Sequence, residues 1–369
     1  MADFNLTKMA VNMYCPGNVV QMDDAGLPSL LVYIPAFKNS DVLAGGNDST
    51  HPAFIVNGVQ IPGFYYSKYE NVVHNGKAYS LPAEDPQTST NFDTAREYCE
   101  AKGYGWHLST NAEWAALALW CKKNGFIPRG NNYYGRDDHE SEYKAITAHT
   151  LNDGRTGRVA TGTGPLTWSH DGTVSGVWDM NGNVAEWQGG LRLVWGEIQI
   201  LANNDAADPD NPQNQTSTCW KAINAADGSL VEPESKTTDK AVKASGSTVK
   251  LDIVDTGSAF LWKFSTNITQ ASNESVSCQF GLVSHDNTLG DAAIILLRSL
   301  ALLPDDGAIV EEYEQDYMYW NNAASECHVQ RGATYSYGKL GGLFCINGSN
   351  KRTYTSGQLG FRSAYIPNI

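Results

Sequence analysis

A chain of 369 residues with 41% hydrophobic side chains can bury at least one sizeable core and is long enough for two or three domains. Its net charge of −14, with 26 Lys and Arg against 40 Asp and Glu, leaves no large phosphate-neutralising face, because nucleic-acid affinity rests on Lys and Arg displacing counterions. Nucleic acid is therefore not an expected partner, and acidity of this size reads first as a solvated surface.

Seven cysteines are scattered without a CxxC pair, and eight histidines occur without an HxxxH or HxH pair. Neither pattern supplies the clustered ligands of a zinc site or the density of a disulfide framework. An odd cysteine count leaves at least one free thiol. The opening Met1-Ala2-Asp3-Phe4-Asn5 has no basic region followed by an apolar run, so no secretory signal is expected, and synthesis in a reducing cytoplasm follows. The longest apolar run, Ile294 to Leu303, is interrupted by Arg298 and Ser299 and is far short of the roughly 20 residues needed to cross hydrocarbon. It reads as a core helix, and no membrane insertion is expected.

In chain order, the first ninety residues alternate short apolar runs with turn formers. Leu30 to Pro35, Phe54 to Gly58 and Phe64 to Glu70 have the length and bounding residues of strands, and residues 1–63 read as a strand-rich segment packed on the core. Asn91 to Lys102 places Ala95, Tyr98 and Cys99 at helical spacing, with Gly103 as a stop. Thr110 stands three residues before Glu113, which predicts a capping box and a second helix whose buried stripe is Trp114, Leu117 and Ala118. The run Gly130 to Gly135 is too rich in turn formers for regular structure, and Gly176 to Trp187 reads as a tight turn leading into a strand.

From Asn203 the composition shifts. Asn203 to Thr218 is dense in Asn, Asp, Gln and Pro, and Asp227 to Thr248 is dense in Ser, Thr, Lys and Gly, so both predict exposed loops. Strands are expected at Val249 to Val254 and Ala259 to Phe264, then a helix from about Asn287. Residues 203–303 accordingly read as a β-rich insertion between a first core part, 64–202, and a last part, 304–369. Strand-like runs close the chain at Gly342 to Ile346 and Leu359 to Tyr365.

Three local patterns occur in order: Trp106-His107-Leu108-Ser109-Thr110-Asn111-Ala112-Glu113-Trp114, Trp178-Asp179-Met180-Asn181-Gly182-Asn183-Val184-Ala185-Glu186-Trp187, and Gly360-Phe361-Arg362-Ser363. Together they resemble the formylglycine-generating, sulfatase-modifying family, a branch of the C-type lectin fold. The resemblance spans about Phe64 to Trp195 and Tyr317 to Tyr365. It implies an α+β, C-type-lectin-like fold of the formylglycine-generating type, with Trp106, Trp114, Trp178 and Trp187 as core anchors. Enzymes of that family rely on paired cysteines shortly after a turn that here begins Arg331-Gly332. The stretch Arg331 to Gly342 contains no cysteine, and neither Tyr nor Gly can replace a thiol in copper ligation or redox chemistry. Cys345 falls too late, in a strand-like run, and reads as a small buried hydrophobe. No enzyme is therefore expected. The alternatives that stay open are an oxidase relative of that family and a structural phage tail subunit.

A second resemblance is closer. Asp316-Tyr317-Met318-Tyr319-Trp320-Asn321-Asn322, Arg331-Gly332, Gly342-Leu343-Phe344 and Gly360-Phe361-Arg362-Ser363-Ala364-Tyr365 look like the variable proteins of diversity-generating retroelements, often carried by bacteriophages and prophages. In that family adenine-directed mutagenesis rewrites Asn-type codons near the C-terminus while fixed Gly, Arg and aromatic positions hold the backbone. An AAC codon mutated at its adenines yields only residues with codons ending in C, which excludes Lys, Gln, Glu, Met and Trp. Thr334, Ser336, Tyr337, Leu340, Asn347, Gly348, Ser349, Asn350, Tyr354, Ser356 and Gly357 belong to the allowed set; Lys339 and Gln358 do not.

The resemblance places a variable ligand-binding surface in residues 331–365. Its candidate residues are Thr334, Tyr335, Ser336, Tyr337, Lys339, Leu340, Asn347, Ser349, Asn350, Tyr354, Ser356, Gly357 and Gln358. Tyr335, Tyr337 and Tyr354 are the expected anchors, since Tyr offers rigid contact area and Ser, Gly and Asn adapt their hydrogen bonds, as in antibody paratopes. The implied partner is a host or cell-surface macromolecule, protein or glycan, with the chain displayed on a virion tail or as a homo-oligomer. No cofactor is expected. Asn183 and Glu186 are the residues that could hold a structural calcium ion through oxygen atoms, although hydrogen bonds bracing the turn are the plainer role for both. Arg362 is expected to bond carbonyl groups near the chain end.

Overall fold

The computed structural model describes residues 2–305, 307–367 and 369. Helix α1 (Ala2–Tyr14) leads into β1 (Asn18–Met22) and β2 (Pro28–Pro35). The strand-rich expectation for this end holds from Asn18 onward and fails before it. Residues 2–15 contain neither Gly nor Pro, and Leu6, Met9 and Met13 recur at helical spacing, all exposed. The expectation about the opening residues falls in part on Met1, outside the described residues. The run from Phe54 is shorter than expected: a 3-10 turn, Pro52–Phe54, feeds a two-residue strand, Ile55–Val56, paired with Val59–Gln60.

Strand β3 (Gly63–Ser67) joins β2, and helix α2 (Phe92–Glu100) starts at Asn91, whose side chain accepts from the Thr94 amide. After β4 (Trp106–Leu108) comes α3 (Asn111–Lys123), opened by the expected capping box. Thr110 accepts from the Glu113 amide at 3.2 Å, and the Glu113 carboxylate accepts from the Thr110 amide at 3.1 Å. The Thr110 hydroxyl also donates to Asn204 at 2.6 Å. Thr110→Ala is therefore expected to cost about 1–2 kcal/mol, read as a lower urea midpoint; an unchanged midpoint would show the cap to be dispensable. Trp114, Leu117 and Ala118 are buried in the main core, with β2, β3 and the strands that follow packed around them.

The long strand β5 (Ala185–Val194) pairs with β6 (Glu197–Ile200), and residues 203–303 then extend the same sheet rather than standing apart. Strand β7 (Ser245–Asp255) pairs with β6, β8 (Phe260–Asn267) with β7, and β10 (Ser284–His285) with β8. Between the last two lies β9 (Val276–Gln279), which pairs with β11 (Tyr317–Trp320) at the opposite edge. Helix α4 (Asp291–Ser299) begins four residues after the expected start at Asn287, because Asp286 folds a turn that accepts from the Thr288 amide at 3.0 Å. It also ends earlier than expected: Leu300 to Leu303 are buried beyond its last turn.

Strands β12 (Cys327–Arg331), β13 (Ile346–Asn350), β14 (Leu359–Phe361) and β15 (Ser363–Tyr365) complete the chain. One sheet runs β1-β2-β3-β15-β4. The larger, curled one runs β9-β11-β13-β12-β5-β6-β7-β8-β10, with β14 added parallel to β5. The expected strand Gly342 to Ile346 begins only at Ile346. Asp316 explains why: its carboxylate accepts from the Phe344 amide at 2.6 Å, and a Cβ on Gly342 would lie 2.0 Å from the other oxygen, so Gly342 to Cys345 form a turn around it.

The last run, Leu359 to Tyr365, is divided at Arg362, where the chain passes from the large sheet to the small one. Arg362 is buried there. Its Nε donates to both oxygens of Glu186 at 2.9 and 2.8 Å, and its Nη1 donates to the Ser67 and Lys68 carbonyls. The expected carbonyl partners near the chain end are thus replaced by a carboxylate on β5 and carbonyls after β3. A guanidinium so enclosed needs an anionic partner to offset its lost hydration. Trp106, Trp114, Trp178 and Trp187 are all buried.

Candidate functional site

Residues 331–365 begin on a rigid frame. The buried Arg331 donates to the side-chain Oδ1 of Asn111 through Nε and Nη2 at 3.0 and 2.7 Å and to the Leu300 and Ala301 backbone carbonyls at the end of α4. Those carbonyls form the negative end of the helix, which suits a cation. Gly332 and Ala333 then adopt φ of +83° and +64°, turning the chain across the core. A Cβ on Gly332 would meet the Met180 carbonyl at 3.0 Å and the Trp114 ring at 3.1 Å.

Framework groups fix the backbone of the segment at intervals. The Gly182 amide donates to Gly332 at 2.7 Å, the Tyr335 amide to Asn183 at 3.2 Å, the Tyr134 amide to Tyr335 at 2.8 Å, and the Gly338 amide to Asn132 at 2.8 Å. Further on, the Phe92 amide donates to Arg352, that of Ser89 to Ser356, and that of Ala185 to Gln358, while Arg158 donates to the Gly357 carbonyl at 3.0 Å. The Arg352 side chain is itself held by Glu326, Asp93 and the Gln213 carbonyl. Main-chain bonds do not use the side chains of the residues they join, so at positions with room for a side chain these bonds hold the loop's path independently of which one it is.

The side chains behave differently. Thr334 and Ser336 bond each other at 3.1 Å, Ser349 donates to Asn347 at 2.8 Å, and Ser356 accepts from the Gln358 amide at 3.2 Å, all within the segment. Thr334, Tyr337, Asn347, Asn350, Tyr354, Ser356 and Gln358 converge on a cup of about 50 Å³. Ser336 and Ser349 are half-buried, and Lys339, Leu340 and Gly357 are exposed, but none of these five lines the cup.

Tyr335 corrects the expectation of an outward anchor: it is only 5% exposed and packs against Tyr134, ring centroids 6.1 Å apart. The positive φ of Ala333 and the two backbone bonds at Tyr335 turn it inward. Thr334 is buried as well, yet it reaches the cup wall. Within the segment, Gly348 is not free to vary, since a Cβ there would lie 2.1 Å from the Trp320 ring.

The cup also uses Gln330, Ala333, Ala185 and Leu359, which sequence reading did not single out, and Cys345, expected only as a small buried hydrophobe. Gln330 is the informative one. It is 4% exposed, and its amide nitrogen has no hydrogen-bond partner among the described residues. Strand β12 is buried at every position, so no alternation in the sequence could have marked Gln330 as facing a cavity. Cys345 lies at the cup wall, where burial pushes its thiol pKa up, away from the reactive thiolate. Burial likewise raises the Tyr337 phenol.

Asn183, one of the two calcium candidates, has φ +58° and braces its turn. Its oxygen accepts from Asn131 at 3.1 Å and from the Val159 amide at 2.8 Å, and its nitrogen donates to Glu70. Both oxygens of the other candidate, Glu186, are taken by Arg362. Among the described residues, no group of three or more His, Cys, Asp or Glu side chains is placed to hold a metal ion. None of the described helices is long and apolar enough to cross a membrane.

No curated protein matches the chain. Among solved structures it is similar to PvdO from Pseudomonas aeruginosa at 12% identity and TM-score 0.36, over 94% of this chain and 97% of that one. It is similar to Treponema denticola variable protein 1 at 11% identity and TM-score 0.34, over 95% and 100%. For the P3c variant of Major Tropism Determinant the figures are 10% identity and TM-score 0.32, over 94% and 71%. Residues 49–193, less than half of the chain, match the family model of the sulfatase-modifying factor enzyme 1-like domain, and the α+β fold described above is of that C-type-lectin-like kind.

Proposed function

We propose that this chain is a hypervariable ligand-binding protein, diversified by a retroelement, that displays residues 334–358 on a C-type-lectin-like frame and has no enzymatic role. One observation carries the reading: a single contiguous segment is pinned through its backbone by distant framework groups, while its Tyr, Asn, Ser and Gln side chains converge on one cup. Such an arrangement separates the path of the chain from the identity of its side chains, which is the physical requirement for changing a binding surface without unfolding its support. A cup of about 50 Å³ is also small beside the roughly 300–1,000 Å³ of sites that enclose small molecules. It suits one projection from a macromolecule lying across the face, and the reading is of a host or cell-surface target met by a phage-borne or prophage-borne receptor-binding protein.

Two measurements test this. The coding DNA should lie beside a near-copy that differs at adenines, with a reverse transcriptase gene close by; a locus with neither removes the diversification. At the protein level, replacing Tyr337, Asn347, Asn350, Tyr354 and Ser356 together with random residues from codons ending in C should leave most variants folded. Changes at the exposed Tyr354 should shift stability within about 0.5 kcal/mol, and those at the half-buried Tyr337 by more. If most such variants fail to give a cooperative urea transition, the segment is structural and the reading falls.

A further inference from the structure

We propose that the recognition face extends past the variable segment onto a fixed tyrosine platform formed by Tyr317 and Tyr319, edged by Ser277, and that the partner it fits is a protein surface. The inference rests on the ligand-binding reading given above and adds to it residues that lie outside residues 331–365.

The strand register supplies the geometry. Ser277 on β9 stands opposite Tyr319 on β11, Tyr319 stands opposite Asn347 on β13, and Asn347 stands opposite Gln330 on β12. Residues directly opposite in neighbouring strands project from the same face of a sheet. These four therefore form one row across four strands, about 15 Å wide at about 4.8 Å per strand.

Burial agrees with the alternation. Met318, Trp320, Ile346 and Gly348 are buried on the inner side, whereas Tyr317, Tyr319 and Asn347 are half-buried and Ser277 is exposed. The Tyr317 ring lies 5.7 Å from that of Tyr319 and 5.5 Å from that of Tyr337. The fixed platform and the variable segment are thus continuous through one aromatic contact.

The chemistry of the face selects the partner. Residues 331–365 contain no Asp or Glu in a chain of net charge −14, and Lys339 and Lys351 are exposed at the rim. The unpaired, buried Gln330 amide is a hydrogen-bond donor that an acceptor must meet. Peptide carbonyls and amide side chains provide such acceptors, and tyrosines arranged beside small polar residues provide the rigid contact area of a paratope. A neutral to acidic protein surface fits these groups.

The platform would contribute to every ligand alike, while the cup distinguishes among them. A display library of the full chain, randomised at Tyr337, Asn347, Asn350, Tyr354 and Ser356, is selected against ovalbumin, streptavidin and yeast mannan as probes. Tyr319→Ala and Ser277→Arg are then placed in each recovered clone, with thermal unfolding as the control for folding. Clones against both proteins are expected, and each substitution should weaken all of them by about tenfold. Ser277→Arg, at an exposed position, keeps the test valid if Tyr319→Ala perturbs the fold. Clones whose affinities stay within twofold under both substitutions overturn the platform and leave the variable site standing. Clones against mannan but neither protein overturn the protein partner, and a library that yields no clone at all overturns the binding reading itself.

Discussion

Arg362→Leu is expected to destabilise the protein by about 3–5 kcal/mol, the usual cost of removing one partner from a buried ion pair. The reason lies in what surrounds the guanidinium. Glu186, Glu70 and Asp179 are all buried, and Arg362 is the cation that lowers the pKa of each of them. Burial acts in the opposite sense and prevails, raising the Glu186 carboxyl to about 7 and that of Asp179 to about 6, and pushing Glu70 well above the usual carboxylate range. Loss of the arginine would leave three carboxyl groups in a water-poor centre without a positive charge. A urea midpoint for Arg362→Leu within about 1 kcal/mol of the parent would show the pair to be replaceable by apolar packing.

The same cluster sets a pH dependence. Between about pH 4.5 and 7 the folded protein holds a proton on Glu186 that the unfolded chain has released, Asp179 does the same between about 3.8 and 6, and Glu70 acts in the same sense. Their contribution to stability is fully present below these windows and is lost as pH rises through them. Burial lowers His51 and His170 to about 4 and moves His328 in the same direction, so the histidines act oppositely up to about pH 6.5. The comparison of Glu70→Gln with the parent isolates the carboxyl. The variant should gain stability relative to the parent as pH rises from 5 to 8, and a difference that does not vary with pH would remove Glu70 from the titrating cluster.

The second large effect is expected at Trp114. The side chain is fully buried in α3, and its indole nitrogen donates to the Leu343 carbonyl at 2.9 Å, across the turn that precedes β13. Its ring also underlies Gly332, at the entry to the variable segment. Trp114→Ala should cost about 3–5 kcal/mol through lost burial and the cavity left behind, and it should weaken clones selected on the variable face even at temperatures where the variant is fully folded. Trp114→Phe, which fills most of the space but cannot donate to Leu343, should lose about 1–2 kcal/mol. Equal losses in the two variants would assign the whole effect to the hydrogen bond and none to packing.

Local chemistry was plain in the sequence because it depends on neighbours along the chain. The capping box at Thr110 and Glu113, the helix with Ala95, Tyr98 and Cys99 at helical spacing and the turn before β5 each follow from residues within a few positions of one another. The helix at Ala2–Tyr14 carried a similar signal in Leu6, Met9 and Met13, but it adjoins a strand-rich run and buries none of those residues. The proposed binding segment, residues 331–365, was marked in the sequence by its resemblance to a glycine and aromatic frame.

Which of its side chains turn outward was decided only in three dimensions. Tyr335 turns inward because Tyr134 and Asn183, distant in sequence, take its backbone groups, and no pattern within residues 331–365 records that. Gln330, Asn347, Tyr319 and Ser277 become one row because a parallel pairing of β11 with β13 and an antiparallel pairing with β9 set their register. The sequence by itself determined the frame, through short-range capping, turn and burial preferences. Tertiary structure determined the face, since sheet register between strands up to about forty residues apart decides whether a side chain meets the core or the solvent.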